Sequence, residues 1–265
     1  MVATVPFIDV EQGRLHYREW GSGPLTLLVH GFGLDHRLWD ELEARASDRR
    51  YVAVDLRGFG RSTPVSDPSL SMERLADDLS RVIRGLGAES ADVAGFSMGG
   101  FALLALWERD PEVFRSVALL SARANGDSED QRAGRDRLID LLLREGREAL
   151  ASAFVPQLTS TAADGLITAR LRTMMEETPF ETLVAALRGM RDRPDRMHVM
   201  ETLTVPTLVV AGAEDPLVPP ALARAMAARA PSAGLRVLTG AGHTTPMESP
   251  DALLAELRRF WAQVG

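Results

Sequence analysis

The sequence has 265 residues, of which 45% are hydrophobic and 25% are charged, and this composition predicts a soluble globular protein with a substantial core. The length fits one α/β domain with an insertion. Its formal net charge of −7 disfavours nucleic acid as a partner, because a nucleic-acid-binding face needs a basic patch and the arginines are dispersed among acids. All 30 basic residues are arginine and cysteine is absent, which excludes Schiff-base lysines, Ser-Lys dyads, thiol nucleophiles, disulfides and thiolate metal sites.

The first half of the chain predicts strands that alternate with helices. Residues 7–10 and 14–20 alternate in polarity around a Glu-Gln-Gly turn, which predicts a β-hairpin. Apolar side chains recur at steps of three and four from Leu75 onwards, which predicts a helix with Ser71 as its N-cap and Gly87 as its stop. Short, partly β-branched apolar runs predict four buried parallel strands, at residues 25–30, 51–56, 91–96 and 117–121.

The pattern changes after Ser121. Residues 122–200 show only helical periodicity, so we predict that they form a helical cap inserted after strand six. Breaks in this periodicity are expected near Pro156, Gly165, Pro179 and Pro194. Beyond the cap we predict strands at 207–211 and 235–238 and helices at 220–230 and 250–264. Residues 1–121 and 201–265 then form the catalytic domain, with the cap over the carboxyl ends of the strands, where open α/β sheets bind ligands.

A candidate nucleophile lies where a predicted strand meets a predicted helix. The segment Gly95-Phe96-Ser97-Met98-Gly99-Gly100 has the G-x-S-x-G pattern of a nucleophile elbow, and its context is the one that such an elbow requires. The turn is tight and strains the serine backbone, so small flanking residues are needed. A serine at position 97 indicates acyl transfer, whereas an aspartate there would indicate dehalogenase or epoxide hydrolase chemistry.

Two further motifs have the order and spacing of a known family. His30-Gly31-Phe32-Gly33 resembles the oxyanion loop of the α/β-hydrolase superfamily, and residues 55–62 resemble its D-x-R-G-x-G-x-S loop. With the elbow, these motifs make the whole chain similar to an α/β-hydrolase with a helical cap. The resemblance implies an α/β fold with a mostly parallel eight-stranded sheet flanked by helices. It also implies an oxyanion hole formed by the backbone N–H groups of Phe32 and Met98.

A serine hydroxyl needs a base that titrates near neutral pH, so a histidine is expected. His243 is the candidate, because it precedes the last predicted helix and stands last in the chain order Ser, acid, His that this fold uses. For His30, in the oxyanion loop, we favour structural hydrogen bonding over proton transfer. The other histidines are interpreted as strand, helix or surface residues: His16, His36 and His198.

The acid that orients the histidine is expected just after a strand. Asp215 has this place and precedes a proline-started helix, which is where the family usually has its acid. Asp127, downstream of strand six, is the alternative. Glu214 is adjacent to Asp215 but is expected to point elsewhere, because neighbours in an extended segment project to opposite sides.

The sequence also offers candidates for the residues that line the substrate pocket. Gly31 and Gly33 of the oxyanion loop and three cap methionines, Met174, Met175 and Met190, are candidate substrate-binding residues, since methionine adapts to varied apolar groups. The cap arginines are expected on solvated faces, although one that faced inward would suit an acidic substrate. They are Arg170, Arg172, Arg188, Arg191, Arg193 and Arg196.

These features predict a serine carboxylesterase that cleaves small or medium apolar esters through an acyl-enzyme. The resemblance leaves open a lactonase of the 3-oxoadipate enol-lactonase kind and a cofactor-free perhydrolase. A different class is also open, a small-ligand receptor that keeps the Ser-His-Asp triad. Steady ester turnover would favour the enzyme, and a single acyl burst would favour the receptor.

Further expectations concern cofactors, partners and location. We expect no cofactor and no metal, since no His, Asp or Glu spacing resembles a metal site. The expected partner is a small-molecule ester or lactone, and a homodimer is left open. Apolar runs are too short to span a bilayer. Residues 1–10 lack a basic region followed by an apolar one, so we expect no secretory signal and a cytoplasmic enzyme.

Overall fold

The computed structural model describes residues 6–264. Residues 1–5, which hold half of the segment used to predict the absence of a secretory signal, lie outside this part. Within it the chain forms eight strands: β1 (Phe7–Val10), β2 (Gly13–Trp20), β3 (Leu25–Val29), β4 (Arg50–Val54), β5 (Ala91–Phe96), β6 (Phe114–Leu120), β7 (Thr207–Gly212) and β8 (Ala233–Leu238). No helix across residues 6–264 combines the length and apolar character that a membrane crossing needs.

The strands form one sheet in the order β1-β2-β4-β3-β5-β6-β7-β8. The β1–β2 and β2–β4 pairs are antiparallel, and all later pairs are parallel. Every residue of β3, β5 and β7 is buried, which agrees with their nearly continuous apolar sequences. The predicted hairpin and the predicted mostly parallel eight-stranded sheet are both confirmed.

Helices flank the sheet and fill the segment between β6 and β7. They are α1 (Asp40–Glu43), α2 (Met72–Gly85), α3 (Met98–Arg109), α4 (Glu129–Glu145), α5 (Arg147–Phe154), α6 (Gly165–Glu177), α7 (Phe180–Asp192), α8 (Met197–Thr202), α9 (Pro220–Arg229), α10 (Thr245–Glu248) and α11 (Pro250–Trp261). The predicted N-cap of α2 is confirmed, because the Ser71 side chain accepts a hydrogen bond from the backbone N–H of Arg74 at 3.1 Å.

The segment of residues 122–200 is helical, as its periodicity predicts. The predicted breaks at Pro156 and Gly165 bound the gap between α5 and α6, and the break at Pro179 separates α6 from α7. Residues 193–196, around Pro194, separate α7 from α8. A further break, at Gly146 with φ 85°, divides α4 from α5. Glycine is the residue that adopts this backbone conformation without steric cost, so Gly146 ends the first helix and allows the chain to turn.

The expectation that all the cap arginines lie on solvated faces is wrong for two of them. Arg193 and Arg196 are each only 4% exposed. Arg196 is buried because its guanidinium pairs with Glu73 and Glu108 of the main domain, both far away in sequence. Arg193 pairs with the buried Asp127. The Arg196 pairs join the helical segment to α2 and α3 of the main domain, whereas the Arg193 pair lies within residues 122–200.

Candidate active site

Ser97 lies in a strained turn between β5 and α3. Its φ of 51° and ψ of −113° are rare for a residue with a side chain, and such a conformation costs about 1–3 kcal/mol. The surroundings hold it in place, because the Ser97 amide donates a hydrogen bond of 2.9 Å to the Leu120 carbonyl on β6. Gly99 is needed next to it, since a Cβ at Gly99 would lie 2.5 Å from the backbone oxygen of Val29.

Ser97, His243 and Asp215 form a continuous chain of hydrogen bonds. His243 Nε2 lies 2.9 Å from Ser97 Oγ, and His243 Nδ1 lies 2.8 Å from Asp215 Oδ2. The other carboxylate oxygen of Asp215 accepts the backbone N–H groups of Leu217 and Val218, both at 2.9 Å. Since a carboxylate only accepts, the Nδ1 of His243 carries a proton and Nε2 is free to accept one from Ser97. This is the arrangement that activates a serine hydroxyl.

The order of the strands explains why these three residues meet. In a parallel sheet all the carboxyl ends lie at one edge, and β5, β6, β7 and β8 are neighbours. Ser97 follows β5, Asp215 follows β7 and His243 follows β8. The His243 ring also packs against Phe96, with ring centroids 5.0 Å apart. With its side chain only 2% exposed, His243 is confined to one orientation.

Two backbone amides near the nucleophile lack an acceptor among the described residues. Met98 is the first residue of α3, where the N–H groups have no partner inside the helix. The loop after β3 packs against the elbow, because a Cβ at Gly31 would lie only 3.2 Å from Ser97 Cβ. Within the part of the chain that the structure describes, neither the Met98 amide nor the Phe32 amide makes a hydrogen bond. Amides in this setting can bind a developing oxyanion.

His30 is bonded on both ring nitrogens and does not reach Ser97. The amide of Leu56 donates to its Nε2 at 2.9 Å, so Nδ1 carries the proton and donates to the carbonyl of Gly31 at 2.8 Å. Complete burial lowers the pKa of His30, which keeps the ring neutral. His30 thus links the loops after β3 and β4 and supports the oxyanion loop.

His16 and His36 meet at Asp55, a contact that the sequence spacing does not reveal. The three residues have ligand-type atoms within 4.8 Å of one another, which is close enough to hold a metal ion. Their hydrogen bonds favour another interpretation. Each histidine places Nδ1 2.7–2.8 Å from an oxygen of Asp55, so both Nδ1 atoms carry protons and are not available as ligands. The cluster fixes the loop after β4 beside the oxyanion loop.

A cavity of about 360 Å³ opens onto Ser97 and His243. Its volume is near the lower end of the ~300–1,000 Å³ range typical of small-molecule sites. The apolar part of its wall comes from both the main domain and the helical segment: Phe32, Phe96, Phe101, Leu138, Phe154, Leu158, Met190, Leu217 and Val218. Its polar part comes mainly from the helical segment: Arg123, Gln131, Arg135, Arg137 and Gln157.

The residues predicted from sequence as substrate-binding are placed differently. Met190 lines the Ser97 cavity. Met175 packs against the oxyanion loop instead, since a Cβ at Gly33 would lie 2.7 Å from its Cε atom. Met174 lines a separate polar cavity beside His36. Gly31 touches the elbow rather than the wall of the cavity.

Asp127, the alternative acid, is buried among arginines. It pairs with Arg123, Arg135 and Arg193, and its hydrogen-bond partners do not include His243. Burial raises the pKa of Asp127, but the three guanidinium groups lower it more, so the net shift is downward. Its position therefore matches an ion-pair centre rather than the acid that orients His243.

The arginines of the cavity were not predicted from the sequence. Arg123 and Arg135 line it, and Arg123 is only 5% exposed. One signal was present in the sequence, because Arg123 follows β6 closely, and β6 is the strand next to the nucleophile strand β5. Residues just beyond the carboxyl ends of neighbouring parallel strands are the ones that reach a site at this edge.

Comparisons with known proteins agree with this architecture. Residues 26–257 match the model of a family described as "Alpha/beta hydrolase family". The chain is 29% identical to a putative carbamate hydrolase RutD from Caulobacter sp. (strain K31), over 92% of this chain and 94% of that one.

Two solved structures are similar over nearly the whole chain. A thermophilic esterase from Thermogutta terrifontis, solved with malate bound, is 31% identical, with a TM-score of 0.93 and 99% of each chain covered. The enol-lactonase from Burkholderia xenovorans LB400 is 27% identical, with a TM-score of 0.88, covering 97% of this chain and 100% of that one.

Proposed function

The chain belongs to the alpha/beta hydrolase family, and we propose that this hydrolase cleaves carboxylic esters through an acyl-enzyme on Ser97. The observation that carries the proposal is the hydrogen-bonded chain from Ser97 through His243 to Asp215. In such a chain the histidine takes the serine proton and the aspartate holds its tautomer. The likeness to the Thermogutta esterase supports the ester as the bond that is cleaved.

In the proposed reaction, His243 Nε2 accepts the Ser97 proton while Oγ attacks the ester carbonyl carbon. The carbonyl oxygen becomes an oxyanion, which the Met98 and Phe32 amides stabilise. The C–O bond to the alcohol then breaks, and His243 returns its proton to the departing alcohol. A water molecule next gives a proton to His243 and attacks the acyl carbon. The acid leaves, and Ser97 regains its proton.

The size and lining of the cavity support small or medium esters. Its volume of about 360 Å³ corresponds to roughly a dozen water-sized groups, at ~30 Å³ each. Aromatic and aliphatic side chains form much of its wall, and Phe154 stands edge-on to Phe32 with ring centroids 5.6 Å apart. This volume and lining favour a short acyl chain over a long fatty acyl chain.

The test is turnover of p-nitrophenyl acetate and butyrate by the purified protein. We expect steady turnover in the wild type, loss of it in Ser97→Ala, and labelling of Ser97 by a fluorophosphonate. Unchanged activity in Ser97→Ala would contradict the proposal. A single burst of p-nitrophenol followed by no turnover would favour a small-ligand receptor.

A lactonase is the second candidate, since the Burkholderia enol-lactonase matches the whole chain at 27% identity. A lactone is a cyclic ester, so the same three residues would open it with the alcohol still attached to the acyl group. A panel of lactones measured beside the p-nitrophenyl esters separates the two functions. A kcat/KM for a lactone well above those of all the linear esters would make lactonase the main activity.

A further inference from the structure

The cavity at Ser97 has a strongly unequal distribution of charge. Among the described residues that line it, three are arginines, Arg123, Arg135 and Arg137, and none is Asp or Glu. The protein as a whole has a formal net charge of −7, so the positive charge of the cavity is opposite in sign to the net charge of the protein. This excess of positive charge lies beside the nucleophile.

Three guanidinium groups share a single carboxylate behind this wall. Arg123, Arg135 and Arg193 all pair with Asp127, whose side chain is fully buried. Burial lowers the pKa of Arg123, and it lowers the pKa of Arg193 to about 10. Desolvation of these cations is therefore only partly compensated by Asp127, and a second anion would compensate it further.

Arg193 uses more of its donors within the protein than the other two arginines do. Its Nη1 donates to Asp127 and to the carbonyl of Met190 at 2.6 Å, and its Nη2 donates to the carbonyl of Asn125 at 2.9 Å. Its guanidinium also lies 4.1 Å from the centroid of the Phe101 ring. Arg193 thus supports the cluster from behind and is not among the residues that line the cavity.

Arg123 and Arg135 keep unused donors. A guanidinium has five N–H groups. Among the described residues, the hydrogen bonds of Arg123 are limited to that of Nη2 with Asp127, and those of Arg135 to that of Nε with Asp127. Both residues line the cavity, and Arg123 is held there by burial of 95% of its surface. Asp127 therefore positions two guanidinium groups whose free edges are available to the cavity.

We propose that Arg123 and Arg135 form a carboxylate-binding subsite of the Ser97 cavity, so that the preferred substrate is an ester that carries a second, ionised carboxylate. The inference rests on the proposed ester hydrolysis. The planar N–H fork of arginine matches a carboxylate in geometry and charge, and such charge-assisted bonds are the strongest hydrogen bonds in proteins. The apolar wall then accommodates the short chain between the carboxylate and the ester. A monoester of a short dicarboxylic acid satisfies both requirements.

The subsite is tested with pairs of esters that differ only in charge. Monomethyl glutarate and its neutral amide analogue, methyl 5-amino-5-oxopentanoate, have the second group on the acyl side. The pair 3-acetoxypropanoate and 3-acetoxypropanamide has it on the alcohol side. For at least one pair, we expect kcat/KM of the carboxylate to exceed that of the amide by about tenfold or more, which one charge-assisted hydrogen bond provides. The pair that responds shows on which side the subsite lies.

Variants connect this preference to the two arginines. Arg123→Gln and Arg135→Gln should each reduce the ratio between carboxylate and amide towards one. Arg135 is the more exposed of the two, so Arg135→Gln keeps the test available if the buried variant does not fold. Arg144→Gln is the matched control, because Arg144 lies on α4, as Arg135 does, but outside the cavity. The ratio of kcat/KM between carboxylate and amide in this variant should equal that of the wild type.

Two outcomes would overturn the subsite: a wild-type ratio near one for both ester pairs, or a ratio that Arg135→Gln leaves unchanged. Failure of the proposed function looks different, because then none of the neutral or charged esters is turned over. In that case binding of glutarate, measured by calorimetry, decides the question. Binding by the wild type that is lost in Arg135→Gln supports the subsite without the esterase, and no binding by the wild type overturns it.

Discussion

Replacing Asp215 by asparagine tests the proposed reaction at a residue whose hydrogen bonds are fully specified by the structure. Asp215 accepts three hydrogen bonds, two from backbone N–H groups and one from His243 Nδ1. In Asp215→Asn the amide oxygen takes over the two backbone bonds, so the NH2 group turns towards His243. The ring must then accept at Nδ1 and carry its proton on Nε2. That tautomer donates to Ser97 and no longer removes its proton.

The expected loss follows from this change of tautomer. The equivalent substitution in a serine protease triad lowers kcat by about 10⁴-fold, and we expect a loss of this order here. At 1.36 kcal/mol for each factor of ten, this corresponds to about 5.4 kcal/mol of transition-state stabilisation. The fold should be little affected, because the asparagine keeps both backbone hydrogen bonds and has the shape of the aspartate.

The measurement is kcat with p-nitrophenyl acetate, together with a thermal unfolding curve for each protein. Asp127→Asn is the matched control, since it removes the charge of the other candidate acid. We expect that variant to lose about 3–5 kcal/mol of stability, because it leaves buried arginines uncompensated. Its folded fraction should keep most of its turnover of this neutral ester. A kcat of Asp215→Asn within about tenfold of the wild type would show that Asp215 does not set the tautomer of His243.

Three further predictions concern the elbow, a histidine and the cavity wall. Gly99→Ala should lower the thermal unfolding temperature, since its Cβ would lie 2.5 Å from the oxygen of Val29, whereas Gly165→Ala, at a position with open space, should raise it slightly. Burial lowers the pKa of His36, but its hydrogen bond to a buried carboxylate raises it more, so the net shift is upward. This contribution to stability is complete below about pH 6.5 and lost as pH rises through the raised pKa. Urea unfolding at pH 6 and pH 9 should therefore show a larger decrease for the wild type than for His36→Asn, and equal decreases would contradict the assignment. Phe154→Ala should raise kcat/KM for p-nitrophenyl octanoate relative to acetate, because it enlarges the cavity, and an unchanged ratio would place the acyl chain elsewhere.

The chain order of the elements is encoded locally, which explains why it could be predicted. A strand such as β5 is apolar apart from Asp92 because it is buried on both faces, and Ser97 directly follows its end. The start of helix α2 is indicated in the sequence by its N-cap residue, Ser71. The break at Gly146 was also signalled, by a glycine that ends a helical run, but it was not predicted. Each of these features depends on a few neighbouring residues.

The placement of the arginines illustrates what local sequence does not contain. Arg193 and Arg172 both lie among polar residues of the helical segment, yet only Arg193 is buried. Its burial depends on Asp127, 66 residues away in the chain. An arginine is stable inside a protein only where such a partner meets it, and that meeting is created by the packing of α4 against α7.

Local pattern and chain order were enough to predict the fold class, the succession of strands and helices, and the candidate reactive groups Ser97, His243 and Asp215, with Asp127 left as the alternative acid. Their types and their positions after strands depend on local pattern and chain order. The tertiary structure alone decided which side chains surround the nucleophile: Met190 and the arginines at 123 and 135 line the cavity, and Met174 and Met175 do not. The physical reason is that periodicity fixes which face of a helix is apolar, whereas only the packing of distant segments fixes what that face contacts.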